Sequence, residues 1–134
     1  MSSDFRVARD DASAPYFDAA ASGQLVVRQC SVCSQLFPPA QVECPAGHAL
    51  TWVPVSGGAA LVTWAVDDGT SMAPELANAT GDGEVIGIVE LDEGLWLNTA
   101  LPGVDATALR EGLPMRVEFL ALGGGEPVPV FVPA

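Results

Sequence analysis

The chain contains no lysine and only one histidine, and these two absences limit what it can do alone. Five arginines stand against 17 carboxylates in 134 residues, which gives a net charge of −12. A surface this acidic repels phosphate backbones and anionic membranes, so a nucleic-acid-binding role is disfavoured. Without lysine, with His48 alone and with no G-x-S-x-G turn, the sequence offers no plausible catalytic set for an independent enzyme.

Cysteine is also scarce, with three residues, and an odd number does not suit a set of paired disulfides. The first ten residues are polar and show no apolar leader segment, so we expect a cytoplasmic protein whose clustered cysteines bind metal. The longest uncharged run, residues 49–66, is interrupted by Pro54, Gly57 and Gly58. Two β-rich stretches joined by a turn fit that run better than a membrane span.

All three cysteines and the histidine lie within 19 positions of one another. Cys30 and Cys33 form a C-x2-C pair, Cys44 follows in a second turn, and His48 comes four residues later. A C-x2-C turn places two thiolates close enough to share one tetrahedral ion, as in zinc ribbons. A regular ribbon would have cysteine at Gly47, and the longer side chain of His48 can reach the vacant corner. The spacing predicts a closed, structural Cys3His zinc site.

Two alternatives to zinc stay open at this stage. A rubredoxin-type iron centre for redox work requires four thiolates, and the sequence has three. A ribbon without metal would be held together by packing around apolar residues in the same segment, namely Val32, Leu36, Phe37 and Val42.

The pattern of elements predicts a mainly β protein in three parts. Residues 1–24 hold a tail and a short helix that Ser13 or Asp11 caps and Gly23 ends. Residues 25–50 form the ribbon, and residues 51–134 form a five-stranded OB-fold barrel. The predicted strands are Leu25–Arg28, Thr51–Val55, Ala59–Val66, Glu84–Leu91, Leu95–Leu101, Met115–Phe119 and Val128–Val132, with a short helix at Ala106–Glu111.

Two stretches of the predicted barrel have unusual patterns. Ala59–Val66 is apolar on both faces, which indicates a strand covered on both sides. The loop Asp67–Gly83 is long for a compact domain, and its apolar Met72, Pro74 and Leu76 either pack locally or contact a ligand or partner.

The helix, ribbon and barrel together resemble a known family over nearly the whole chain. This is the OB-fold, rubredoxin-like zinc-ribbon, acyl-CoA-associated family, also called domain of unknown function thirty-five. The segments that carry the resemblance are Tyr16-Phe17, L-V-V-R-Q-C-S-V-C, Phe37-Pro38-Pro39, Cys44-Pro45, Trp52 with V-S-G-G, V-I-G-I-V-E-L-D-E-G, G-L-P-M-R-V-E-F and P-V-F-V-P. Gly47 in place of the fourth cysteine is the departure from that pattern.

The resemblance implies an accessory subunit without catalytic residues that pairs with a thiolase-like protein of the sterol-carrier type in a hetero-oligomer. Such complexes are lyases of the aldolase kind or acyltransferases. The favoured role is retro-aldol or thiolytic carbon–carbon chemistry on CoA thioesters, including lipid or steroid side-chain breakdown; the alternative is a condensing or acyl-transferring complex. The barrel would border a CoA thioester shared with the partner. Tyr16 and Phe17 either pack on the chain's own body or dock on that partner, and the further contact candidates are Phe37, Pro38, Trp52, Met72 and Leu76.

Overall fold

The protein is built mainly from β-strands, with one α-helix. The computed structural model describes residues 9–67, 74–79, 81 and 83–134. Its elements are α1 (Ala14–Ala21), β1 (Val26–Cys30), β2 (Leu36–Phe37), β3 (Leu50–Pro54), β4 (Gly58–Asp67), β5 (Glu84–Leu91), β6 (Trp96–Ala100), β7 (Pro114–Ala121) and β8 (Pro127–Pro133). No helix in this described part of the chain has the length and hydropathy to cross a membrane.

The strands form two antiparallel sheets, as the fold prediction required. One has the order β2-β1-β3 and carries the cysteine turn; the other has the order β6-β5-β4-β7-β8 and curls into a half-barrel. The predicted mainly β architecture of helix, ribbon and five-stranded OB barrel is confirmed. Strand β3 pairs with β1, so the ribbon sheet extends to Pro54, across the boundary expected at residue 51.

The two sheets share one hydrophobic core, so ribbon and barrel stabilise each other. Leu25 and Val27 come from the start of the ribbon, and both are at most 2% exposed. They belong to the same buried cluster as Leu61, Val89 and Phe131 of the barrel. Because burying apolar area is the main favourable term in folding, loss of order in one sheet weakens the packing of the other.

Helix α1 lies against β8 and β1 and begins after Ser13. Ser13 occupies the N-cap position as predicted, but its hydroxyl makes no capping bond to the helix. Its hydroxyl instead donates to the Asp10 carboxylate, 2.8 Å away, and the same carboxylate accepts the Ser13 backbone amide at 2.8 Å. Phe17 and Ala20 are the buried residues of the helix. Arg9 then ties this end of the chain to the β7–β8 hairpin through Glu126.

A register shift in β4 overturns part of the predicted strand pattern. Pairing with β5 slips between Leu61 and Thr63, so Leu61 and Trp64 both turn toward the core. Simple alternation wrongly put Leu61 on one face with Thr63 and Ala65. Those two residues are exposed, so the expected cover on both sides of β4 is absent from the described chain. The outer face of this strand meets solvent.

The last part of the barrel follows the prediction with one correction. Met115 of β7 is buried, Arg116 is exposed, and the proline-containing β8 is an edge strand of its sheet. The predicted helix Ala106–Glu111 is wrong in length, since only a 3-10 turn at Ala106–Ala108 forms after its Asp105 cap. Leu109 adopts an extended conformation and enters the core, which ends the helix early.

Candidate functional site

The three cysteines converge at one end of the ribbon. Cys30 ends β1, Cys33 lies in the following turn, and Cys44 comes from the turn before β3. Their Sγ atoms all lie within 4.8 Å of one another, with Cys30 and Cys44 buried and Cys33 exposed. The His48 Nδ1 atom lies 3.4 Å from the Cys44 Sγ and 3.8 Å from the Cys30 Sγ. The structure thus brings the three predicted cysteine ligands together and places His48 beside two of them.

The turn stabilises thiolate at Cys30. The backbone amides of Cys33 and Val32 each donate to the Cys30 Sγ at 3.4 Å. The Cys33 amide is the largest influence, and together with the Val32 amide and the neighbouring thiols it lowers the pKa of Cys30 to about 6 against the opposing effect of burial. At Cys33 the Gln35 amide lowers the pKa, but the bond to Cys30, burial and the charges of Cys30 and Cys44 outweigh it and raise the pKa.

The three thiols could hold a tetrahedral zinc ion, and His48, which lies close to two of them but outside the group within 4.8 Å, is the expected fourth donor. With Zn–S of about 2.3 Å and Zn–N of about 2.1 Å, tetrahedral geometry places sulfur and nitrogen ligands about 3.6 Å apart. The His48 distances of 3.4 and 3.8 Å to the two buried thiols bracket that value. A glycine with φ of +83° at position 47 makes the turn that brings His48 back to the cysteines. A Cys3His site with four protein donors leaves no open position for water, so it would be structural.

The metal-free alternative loses its main support in the structure. Val32 and Val42, which were expected to pack the ribbon, are 67% and 66% exposed. The buried cluster here consists of Cys30, Phe37 and Cys44, with Leu50 packed against it. Of the four residues expected to pack a metal-free ribbon, only Phe37 belongs to this cluster, and the two thiols make up the rest.

The two prolines of Phe37-Pro38-Pro39 predict an exposed rim, but of these three residues only Pro38 is exposed. Leu36 and Phe37 pair with β1 as a two-residue strand, and Phe37 is 6% exposed. The prolines that follow supply no amide hydrogens, so the strand stops there and Pro38 is exposed. Phe37 therefore offers little area to a ligand, whereas Pro38 remains accessible.

A groove of about 430 Å³ lies on the same side of the ribbon sheet as the cysteines, between α1 and the ribbon. Tyr16 contacts Phe17 edge to face at 5.3 Å and lies 5.8 Å from Trp52, measured between ring centroids. The Arg28 guanidinium lies 3.8 Å from the centroid of the Trp52 ring, and its Nε donates to the Pro39 carbonyl at 3.1 Å. The predicted contact residues Tyr16, Phe17 and Trp52 thus line one groove together with Arg28.

Sequence inspection missed the stacking of Arg28 on Trp52. This contact follows from the pairing of β1 with β3, which makes Arg28 and Trp52 direct cross-strand partners. Arg28 was expected to form an ordinary surface ion pair; among the described residues it forms none, and the tryptophan ring and the Pro39 carbonyl hold it instead. Cation–π contact of this kind fixes the guanidinium plane while leaving its edge available for anions.

Of the two loop candidates, Leu76 is described by the structure and does not line this groove. Leu76 lies in a 3-10 turn, Pro74–Leu76, and is half-buried. Met72 lies outside the described residues. Large aromatic side chains usually lie in cores, but Trp96 is 54% exposed.

Solved structures of two other proteins superpose on this fold. A chain of the Ltp2–ChsH2(DUF35) aldolase superposes with a TM-score of 0.77 at 27% identity, over 96% of this chain and 98% of that one. A DUF35-family protein of unknown function from Sulfolobus solfataricus gives a TM-score of 0.57 at 13% identity, over 92% and 86% of the two chains, which shows the fold alone.

One relative is a longer protein than this chain. It is the probable enoyl-CoA hydratase alpha subunit of Thermomonospora curvata, 29% identical over 121 residues. The match takes in 89% of this chain but 36% of that protein, so the chain spans about a third of its relative's length. The family model of the ChsH2 C-terminal OB-fold domain matches residues 52–120, from β3 through β7. With ribbon, curled sheet and N-terminal helix all in place, this chain belongs to the DUF35 family of ChsH2-type OB-fold proteins.

Proposed function

We propose that this chain is a non-catalytic partner subunit of a thiolase-like enzyme that cleaves carbon–carbon bonds in acyl-CoA thioesters by retro-aldol or thiolytic chemistry. The observation that carries the proposal is the end-to-end likeness to a chain of the Ltp2–ChsH2(DUF35) aldolase. An accessory role agrees with the position of the one histidine, which lies beside two thiols that could serve as metal ligands.

In this proposal zinc is structural and is held by Cys30, Cys33, Cys44 and His48. The ion would lock the end of β1, two residues from Arg28, and so fix the groove between α1 and the ribbon. Tyr16, Trp52 and Arg28 would border the shared acyl-CoA, with the aromatic rings against its apolar arm. Most of the positive charge for the CoA phosphates would come from the partner, because this chain carries −12.

A second candidate has its own support. The relative from Thermomonospora curvata has the name of a hydratase subunit, and this chain matches about a third of it. The same module would then serve a partner that adds water to an enoyl-CoA, or one that condenses or transfers acyl groups. All of these roles share the CoA thioester and differ in the chemistry of the partner.

The test is co-expression of the tagged chain with each thiolase-like protein encoded by the same genome. We expect one of them to co-purify in stoichiometric amount, with β-hydroxyacyl-CoA cleavage or thiolysis by the complex and none by this chain alone. Parallel assays of enoyl-CoA hydration and acyl transfer separate the alternatives. If no such protein associates and none changes its activity when this chain is added, the proposal is wrong.

The groove has its own test within the complex. Arg28→Gln should weaken acyl-CoA binding several-fold without dissociating the subunits, and Arg110→Gln, at an exposed position outside the groove, is the matched control. Equal affinity of the Arg28→Gln complex and the unmodified complex for acyl-CoA would remove Arg28 from the site.

A further inference from the structure

The outer face of β4, β5 and β6 is an apolar surface that no other described element covers. Thr63 and Ala65 of β4 pair with Ile88 and Ile86 of β5, so these side chains lie side by side on one face. Ile86 is 51% exposed, although isoleucine is among the most buried residue types. The sheet forms a hollow of about 630 Å³ here. We call this surface the β4–β6 face.

The β4–β6 face extends to an exposed tryptophan. Trp96 of β6 pairs with Glu90 of β5, and its indole Nε1 donates to the Glu90 carboxylate at 2.8 Å. The ring is 54% exposed but fixed by that bond. A rigid, exposed tryptophan at the margin of an apolar hollow is typical of residues that dominate the energy of protein interfaces.

The charged side chains carried by the three strands of the β4–β6 face all have one sign. Strands β4, β5 and β6 contain three carboxylates and no arginine. Of these, Glu84 and Glu90 lie on the outer face in register with Ile86 and Ile88. The arginines of the described residues lie elsewhere: Arg9 precedes α1, Arg28 is on β1, Arg110 follows the 3-10 turn, and Arg116 is on β7.

We propose that the β4–β6 face is the docking surface for the protein partner, and that the partner meets it with an apolar centre and a rim of lysine or arginine. The uniform negative rim determines this choice of occupant, since like charges facing each other weaken association. A second copy of this chain would bring the same carboxylates to the contact. Anionic ligands such as CoA are disfavoured at this face for the same reason. The proposal rests on the proposed function, which supplies the partner.

The experiment measures affinity between this chain and the thiolase-like protein identified by co-expression. Ile86→Asp puts a charge at the centre of the β4–β6 face and should weaken binding at least tenfold. Ala108→Asp adds the same charge at an exposed position of the Ala106–Ala108 turn, outside both the face and the groove, and should bind like the unmodified chain. Glu84→Gln should weaken binding by a smaller factor, and Glu111→Gln, exposed and outside the face, should leave it unchanged. Thermal melts confirm that each variant is folded.

The outcomes separate this inference from the proposed function. If the unmodified chain forms the complex and Ile86→Asp binds equally well, the β4–β6 face is not the docking surface, although the accessory role stands. If no thiolase-like protein binds the unmodified chain, both are wrong. Sedimentation of the chain alone tests whether a second copy covers this face instead. A dimer that dissociates on Ile86→Asp would mean that it does.

Discussion

At the scale of single residues, the sequence showed which side chains carry chemistry but not how their backbones place them. The C-x2-C spacing was enough to bring Cys30 and Cys33 together. The approach of His48 depended on the conformation of Gly47, whose φ of +83° a sequence pattern does not display. Stacking of Arg28 on Trp52 required the β1–β3 register, which joins residues 24 positions apart.

Gly57 offers a direct test of backbone constraint. Its φ is +87°, and an added Cβ would lie 2.6 Å from Cγ1 of Val117, whose amide donates to the Gly57 carbonyl at 2.8 Å. Gly57→Ala should destabilise the protein by about 2–4 kcal/mol, from left-handed strain plus overpacking against a stiff β-branched side chain. Chemical denaturation measures the difference.

The matched control is Gly94→Ala. Gly94 has a φ of +92°, but nothing lies within 4 Å of the added Cβ, so only the backbone cost of about 1 kcal/mol applies. Equal losses for Gly57→Ala and Gly94→Ala would show that Val117 moves away without penalty.

The single tyrosine reports on the groove. Burial raises the pKa of Tyr16 to about 12 from its ordinary value of 10.0. The phenol of the folded protein therefore holds its proton where the unfolded chain has lost it, and stability falls as pH rises between about 10 and 12. Because this is the only tyrosine, the near-ultraviolet absorbance of phenolate follows it directly.

The expected titration midpoint is near 12 in the native protein and near 10 in denaturant. Tyr16→Phe should remove both the absorbance change and its share of the alkaline loss of stability. A native midpoint near 10 would mean that the ring is open to solvent and that α1 does not cover the ribbon as described.

At the scale of elements, regular alternation was predictable and interruptions of it were not. The strand Glu84–Leu91 has the predicted bounds, since its apolar run and turn residues give a plain signal. In β4, one extra residue between Leu61 and Thr63 changes which side chains face the core. The resulting exposed face is invisible to a pattern that counts apolar residues, because such residues suit buried and partner-covered surfaces equally.

The ribbon should depend on metal for its stability. Cys33→Ser should abolish stoichiometric zinc and lower the Tm by about 10 °C or more, because metal-binding energy is folding energy in small ribbons. Because ribbon and barrel share one core, the loss of ribbon stability should also destabilise the barrel, and the protein should melt in a single cooperative transition. Ser31→Ala, an exposed change in the same turn, is the control. Zinc content by elemental analysis and calorimetric melts give the two readouts, and an unchanged Tm would favour a ribbon held by packing alone.

His48 requires a separate measurement of the ligand set. Co²⁺ in place of zinc gives visible bands that distinguish three sulfurs plus nitrogen from three sulfurs plus water. His48→Ala should shift these bands and speed metal loss to a chelator, whereas Gln41→Ala, on the same connection but without a donor near the thiols, should do neither. Identical spectra for His48→Ala and the unmodified protein would exclude histidine as the fourth ligand.

At the scale of the whole molecule, net charge and apolar surface affect association with a partner at different distances. A net charge of −12 opposes self-association and also attracts a basic partner over distances of about a Debye length, roughly 10 Å at 0.1 M salt. The apolar β4–β6 face acts only after contact, by burying area that water otherwise covers. Composition alone predicted the first property, whereas the second required the three-dimensional structure.

The last prediction concerns the rate at which this chain associates with the proposed thiolase-like partner. Raising the salt from about 0.02 M to about 0.5 M should slow association by about tenfold or more, because steering by opposite charges is screened. Dissociation should change little, because apolar contacts at Ile86 and Trp96 hold the complex once it is formed. Ile86→Asp should show the reverse behaviour, with faster dissociation and an association rate close to that of the unmodified chain. Stopped-flow or surface-based kinetics resolve the two rates. An association rate that does not respond to salt would mean that the partner's contact surface is neutral, and that the acidic character of this chain serves its solubility rather than its recognition.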